Sequence, residues 1–129
     1  MKLLLDTHAL LWFLLGDLKL SDPARAAIED DDNIILVSAV SAMEISTKYR
    51  IGKLPEAAEI AGRLATIVPT RGFQGLDITI AHSDLAGLLP IDHRDPFDRL
   101  LIAQAQIEQA LLVSNEVLFD RFGVRRLWD

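Results

Sequence analysis

The most restrictive feature of the sequence is a run of three leucines that stops on a carboxylate, Lys2-Leu3-Leu4-Leu5-Asp6. A short apolar run without alternation suits a strand buried on both faces, the kind found in parallel sheets covered by helices on either side. Asp6 then stands at the strand's end, where an ionised group is costly unless it is paired or coordinated.

The rest of the chain supplies what such a sheet needs. Residues 9–15 read as a helix stopped at Gly16-Asp17. Ser21 offers an N-cap and Pro23 fits a first helical turn, which predicts a helix from Ala24 to about Asp30. Residues 34–37, β-branched and apolar, predict the second strand. Ser41-Ala42-Met43-Glu44 opens a third helix to about Arg50, with Gly52 beyond its end. From Pro55 to about Val68, the positions Ala58, Ile60, Ala61, Leu64 and Ile67 share one face of a predicted helix closed by Pro69. A loop over 72–75 leads to a brief strand over 76–78 and a helix over 79–88. A helix from Asp95-Pro96 to about Glu108 follows, then a strand over 111–114, a helical turn over 117–122 and an edge strand over 124–127. Strands alternating with helices predict one α/β domain, residues 1–129, with a mostly parallel sheet.

Composition narrows the chemistry. At 129 residues, half of them hydrophobic, the chain can build a core without metal staples. It has no cysteine, which removes thiolate zinc sites, redox motifs and Cys nucleophiles and fits a reducing compartment. His8, His82 and His93 are too scattered for a His-based metal site. A net charge of −6 argues against a basic patch that grips phosphates unaided, so a polyanionic substrate would need a divalent metal, a local Arg cluster or a partner chain. The N-terminal apolar stretch imitates a secretory signal, but Asp6 and His8 interrupt it and no small-residue cleavage pattern follows. It is too short and broken to span a bilayer, and a cytoplasmic location is the expectation.

Four acids fall where a parallel sheet would gather them: Asp6 after the first strand, Glu44 in the helix after the second, Asp98 in the first turn of a helix, and Glu116 just after a late strand. Ligands of open α/β sheets bind beyond the carboxyl ends of the strands. Each acid also has a structural reading. Glu44 stands at capping-box distance from Ser41, Asp98 can simply favour the helix dipole behind an Asp95 cap, and Glu116 can be a solvated turn acid. Brought together, the four would repel, two unit charges 4 Å apart costing roughly 4 kcal/mol at an effective dielectric near 20. Mg2+ or Mn2+ is the counter-charge that suits oxygen ligands, and it can acidify a bound water and stabilise a leaving oxygen at a phosphodiester.

These residues carry a resemblance. The segments Leu3–Trp12 (LLLDTHALLW), Val37–Ile45 (VSAVSAMEI), His93–Ala105 (HRDPFDRLLIAQA) and Leu112–Glu116 (LVSNE), with Phe119–Val124 beyond them, resemble PIN-domain proteins, most closely the VapC-type toxin ribonucleases of bacterial toxin–antitoxin pairs. Their order and spacing cover nearly the whole chain, and HRDPFDR is the most specific stretch. The resemblance implies a three-layer sandwich with a central, mostly parallel sheet flanked by helices. It implies a Mg2+-dependent endoribonuclease using water as nucleophile, with Asp6, Glu44 and Asp98 as catalytic metal ligands. The family usually has Asp where this chain has Glu116, which is expected as the fourth catalytic metal ligand, while Asn115 is expected as a supporting group that could orient a water or the metal shell in its place. Thr7 and Ser38 are expected as supporting hydrogen-bond groups, and Arg99 and Arg121 as contacts to RNA. The family also implies a homodimer and an antitoxin whose segment lies in an apolar groove made by residues 39–50 and 56–68, near the acids.

Trp12 and Phe13 read as core or dimer-contact aromatics, His8 as packing near the first helix, and His93 as shaping the loop before Asp95. Two other functions compete. A PIN fold kept as an inactive RNA- or protein-binding module is suggested by the change to Glu116. A phosphoacceptor receiver domain also has acids at strand ends, but it wants a Lys after a late strand, where this chain has Ser114-Asn115-Glu116.

Overall fold

The computed structural model describes all residues, 1–129. Its five strands are β1 (Lys2–Leu5), β2 (Ile34–Ser38), β3 (Gln74–Leu76), β4 (Leu111–Val113) and β5 (Arg126–Leu127). They form one sheet in the order β3-β2-β1-β4-β5, and every pairing is parallel. β1 is central, flanked by β2 and β4. The chain winds outward from β1 to β3 and then returns to the other side of β1 to lay down β4. That reversal leaves a crevice at the carboxyl ends of β1 and β4, the usual place for a ligand in such sheets.

The helices are α1 (Thr7–Leu15), α2 (Asp22–Glu29), α3 (Ala39–Arg50), α4 (Leu64–Thr70), α5 (Ile80–Leu88) and α6 (Pro96–Glu108), with short 3-10 turns at Pro55–Ala57 and Val117–Phe122. Successive strand residues face opposite ways, so the leucine run feeds two cores. Leu3 and Leu5 pack with Leu10, Leu11, Ile28 and Ile45 on one face. Leu4 packs with Leu36, Leu101, Ile102, Leu112 and Phe119 on the other. The result is the expected three-layer sandwich. Each of the three leucines is fully buried, and burying such a side chain stabilises the fold by about 1.5–3 kcal/mol. No helix is long and apolar enough to cross a membrane.

Several elements differ from their sequence expectation: α1 and α2 each start two residues earlier, β5 is limited to Arg126–Leu127, and three further differences have a physical reason. The segment 55–68 is not one helix: Gly62 takes a φ of 80°, a left-handed turn that separates the 3-10 turn from α4. Ile60, Leu64 and Val68 are nevertheless buried, because the break reorients the apolar face without exposing it. Pro69 sits inside the last turn of α4 rather than after it. β3 covers 74–76 instead of 76–78, drawn back by its pairing of Gln74, Gly75 and Leu76 with Leu36, Val37 and Ser38. α3 starts at Ala39, capped by the Ser38 hydroxyl, which accepts from the Val40 amide. Ser41 is therefore inside the helix, and Glu44 is not the partner of a capping box.

Candidate active site

Asp6 follows the last residue of β1. Its amide donates to the Val113 carbonyl of β4 at 3.1 Å, and its side chain caps α1 by accepting from the Ala9 amide at 2.7 Å. One residue thus ends the strand and starts the helix, as Asp does well at an N-cap. Asp6 is buried, and burial pushes its carboxyl up to about 6; the nearby Asp98 charge adds to this, while the Ser114 hydroxyl, the Ala9 amide and His8 oppose it.

Glu44 lies in α3 with its carboxylate buried against α1. The Thr7 hydroxyl donates to Oε1 at 2.6 Å and Lys48 Nζ to Oε2 at 2.5 Å. Thr7 also meets the Ser41 hydroxyl at 3.1 Å, so the first turn of α1 is tied to the face of α3 that carries the acid.

Asp98 belongs to the first turn of α6. Asp95 is the cap there, accepting from the Phe97 and Asp98 amides, which separates the roles of the two aspartates. The Asp98 carboxyl turns to His93 Nε2 at 2.7 Å. Burial raises its pKa first, and the Asp95 and Glu44 charges add to that, against the pull of His93. Glu116, beyond β4, is exposed and caps the following 3-10 turn by accepting from the Leu118 amide at 3.1 Å, so its reading as a turn acid has a geometric basis.

One pocket gathers these groups. Asp6, Glu44, Asp98, Glu116 and Asn115 all line it, with Thr7, His8, Lys48 and Asp95, and Phe119 is its sole apolar wall. The donor set is all oxygen, the chemistry that suits Mg2+ or Mn2+. As the side chains stand, however, no three Asp, Glu or His residues are close enough together to enclose an ion. Each of the three is held by a protein donor: Lys48 and Thr7 hold Glu44, His93 holds Asp98, and the Ala9 amide holds Asp6. Enclosing a cation requires the carboxylates to turn toward one another.

Other expected residues fall elsewhere. Ser38 is away from the pocket; its hydroxyl caps α3 and bonds the Gln104 side chain, joining β2 to α6. Arg99, expected as an RNA contact, is engaged within the protein. Its guanidinium donates to the carbonyls of Ala86, Gly87, Leu89, Ile91 and His93, so it is consumed in stapling the α5–α6 connection. Arg121 is exposed in a shallow cleft beside His93. His8 stacks near Trp12, with ring centroids 5.6 Å apart. Sequence reasoning missed Lys48, although its place four residues after Glu44 on a helix was a usable signal. It also missed the grip of His93 on Asp98, which only the loop conformation sets.

A family described as the PIN domain matches residues 3–124. A 59-residue stretch is 39% identical to Ribonuclease VapC16 of Mycobacterium tuberculosis; it spans 46% of this chain and 42% of that relative, less than half of either. The fold resembles the solved VapBC2 of Rickettsia felis bound to a DNA fragment from its promoter, with a TM-score of 0.74, 20% identity and complete coverage of both chains. It also resembles DNA-bound VapBC of Salmonella typhimurium, at a TM-score of 0.70 and 18% identity over 98% of this chain and 97% of that one. FitAcB of Neisseria gonorrhoeae follows at 0.66 and 16%, over 97% and 96%. Because the family match runs almost from end to end and takes in all five acids of the pocket, the chain belongs to the PIN domain family.

Proposed function

We propose that this chain is the ribonuclease toxin of a toxin–antitoxin pair, an endoribonuclease that hydrolyses RNA phosphodiester bonds with Mg2+, or with Mn2+ in its place. The observation that carries this reading is the meeting of acids from four separate stretches, residues 6, 44, 98 and 116, in one polar pocket beyond the carboxyl ends of β1 and β4. Asp6, Glu44 and Asp98 are the residues that would hold the cation, with Glu116 or Asn115 at the fourth position. When bound, the cation would offset the charge of the acids and of the phosphate and acidify a water for attack. Thr7 fixes the Glu44 carboxylate by donating to it, and the capped N-terminus of α6 brings Asp95 and Asp98 to the same pocket.

The test is cleavage of RNA by the purified chain. Asp6→Asn and Asp98→Asn should each abolish it while the fold survives, and the wild-type products should end in 5′-phosphate and 3′-hydroxyl. Full activity in both variants, or cyclic phosphate ends, would contradict the reading.

The partner is proposed to be an antitoxin. Ala42 of α3 with Leu64, Ala65 and Val68 of α4 and Phe73 line an apolar groove suited to an apolar segment. Co-expression with the neighbouring upstream open reading frame should relieve growth arrest and yield a co-purifying complex, and Ala65→Asp should weaken it. A cytoplasmic homodimer completes the proposal. The competing reading, an inactive binding module, draws on the engagement of both Glu44 oxygens and the use of Glu116 as a cap. It predicts that Mn2+ titration shows no binding.

A further inference from the structure

We infer that Lys48 is the side chain that holds the RNA phosphate in this pocket, freed for that task when a divalent cation takes Glu44 from it. This rests on the ribonuclease reading above. Five carboxylates line the pocket, Asp6, Glu44, Asp95, Asp98 and Glu116, and Lys48 is its sole Lys or Arg. A polyanion approaching a chain of net charge −6 needs a cation at that spot. The arginines near by are committed or outside it. Arg99 is spent on five carbonyls, and Arg126 is bound to Asp120 and to the Ser114 carbonyl. Arg121 lies in the adjoining cleft rather than in the pocket.

The geometry gives Lys48 two alternative anions. Its ammonium now sits on Glu44 Oε2 at 2.5 Å, while Thr7 donates to Oε1, so each carboxylate oxygen already carries one donor. A divalent cation bound to Glu44 would lie beside the Lys48 ammonium, and the repulsion between the two positive charges favours release of the lysine. The lysine cannot leave the neighbourhood, because it is anchored in the last turn of α3 one helical turn beyond Glu44. Its side chain is 31% exposed where that of Glu44 is 6%, which puts the ammonium on the solvent side of the carboxylate. Four flexible carbons let it swing to an incoming phosphate oxygen, as lysine does as a mobile point charge. Cation loading and RNA retention are thereby coupled: the bare pocket ties up its one positive side chain, and the loaded pocket presents it.

The test compares wild type with Lys48→Met and Lys48→Arg, reading steady-state cleavage of a fluorescently labelled random-sequence RNA pool and Mn2+ binding by calorimetry without RNA. Lys48→Met should raise KM about tenfold with kcat nearly unchanged, as expected when an interaction common to ground and transition states is lost. It should also bind Mn2+ more tightly than wild type, because the repelling charge is gone. Lys48→Arg should recover part of the KM. Thermal melts establish folding, and Lys48→Gln carries the same comparison if the Met variant does not fold. An unchanged KM in an active protein, or weaker Mn2+ binding in Lys48→Met, overturns the role of Lys48 and leaves the ribonuclease reading standing. A wild type that neither cleaves nor retains the RNA pool overturns both.

Discussion

Asp6 shows what a single side chain pays for its position. In the unfolded chain its carboxyl loses its proton near 3.8, and in the fold, because of burial, near 6. Between those values the folded protein keeps a proton the unfolded chain has released, so stability falls as pH rises through that window and stays reduced above it. A difference of that size corresponds to about 3 kcal/mol. Asp6→Asn keeps an oxygen for the Ala9 amide and removes the charge. In a chelator it should therefore raise stability by about 1–3 kcal/mol at pH 8 and by much less at pH 4, measured by urea unfolding. Equal gains at both pH values would refute the burial cause. Thr7 is the complementary case. Its hydroxyl satisfies a buried Glu44 oxygen, so Thr7→Val should cost about 1–3 kcal/mol, with Thr7→Ser restoring most of it.

At the scale of elements, the α5–α6 connection depends on one residue. Arg99 reaches carbonyls from Ala86 to His93, and that loop delivers His93 to Asp98. Arg99→Met should destabilise the fold by about 2–4 kcal/mol through lost charge-assisted bonds and speed hydrogen exchange over residues 87–93. RNA retention by that variant at low temperature should keep the salt dependence of wild type; a shallower dependence would restore Arg99 as a phosphate contact. Why Arg99 read as a candidate is instructive. A sequence shows that an arginine stands beside Asp98, but not that a loop will fold its carbonyls around it. Local signals served better where they were covalent or periodic. Asp95-Pro96 started α6 as its cap chemistry requires, and the leucine run made a strand. Residues 55–68 kept their apolar spacing yet split at Gly62, since periodicity reports which residues are buried and not whether one helix buries them.

For the whole molecule, the sheet order is what turns scattered acids into neighbours. β1 and β4 are adjacent though more than a hundred residues lie between their starts, so Asp6 and the Asn115-Glu116 pair meet only because the chain reverses its winding at that point. Six of the residues that line the pocket, Asp6, Thr7, Glu44, Asp98, Asn115 and Glu116, were therefore readable from strand ends and family likeness. The pocket's present hydrogen-bond state was not, because the donors that occupy the carboxylates, Lys48 and His93, become visible only when side chains have positions. Chelation should extend the same logic to function: removing divalent cations should stop RNA cleavage, and Mn2+ should restore it as Mg2+ does.

The most direct measurement is a calorimetric titration of Mn2+ into wild type, Asp6→Asn, Glu44→Gln and Asp98→Asn, each checked for folding. A shared cation site predicts saturable binding in wild type and a loss of at least tenfold in affinity in every one of the three variants, by analogy with the sensitivity of metal sites to their ligands. Binding of the same strength in all four proteins, or none in the wild type, would contradict it.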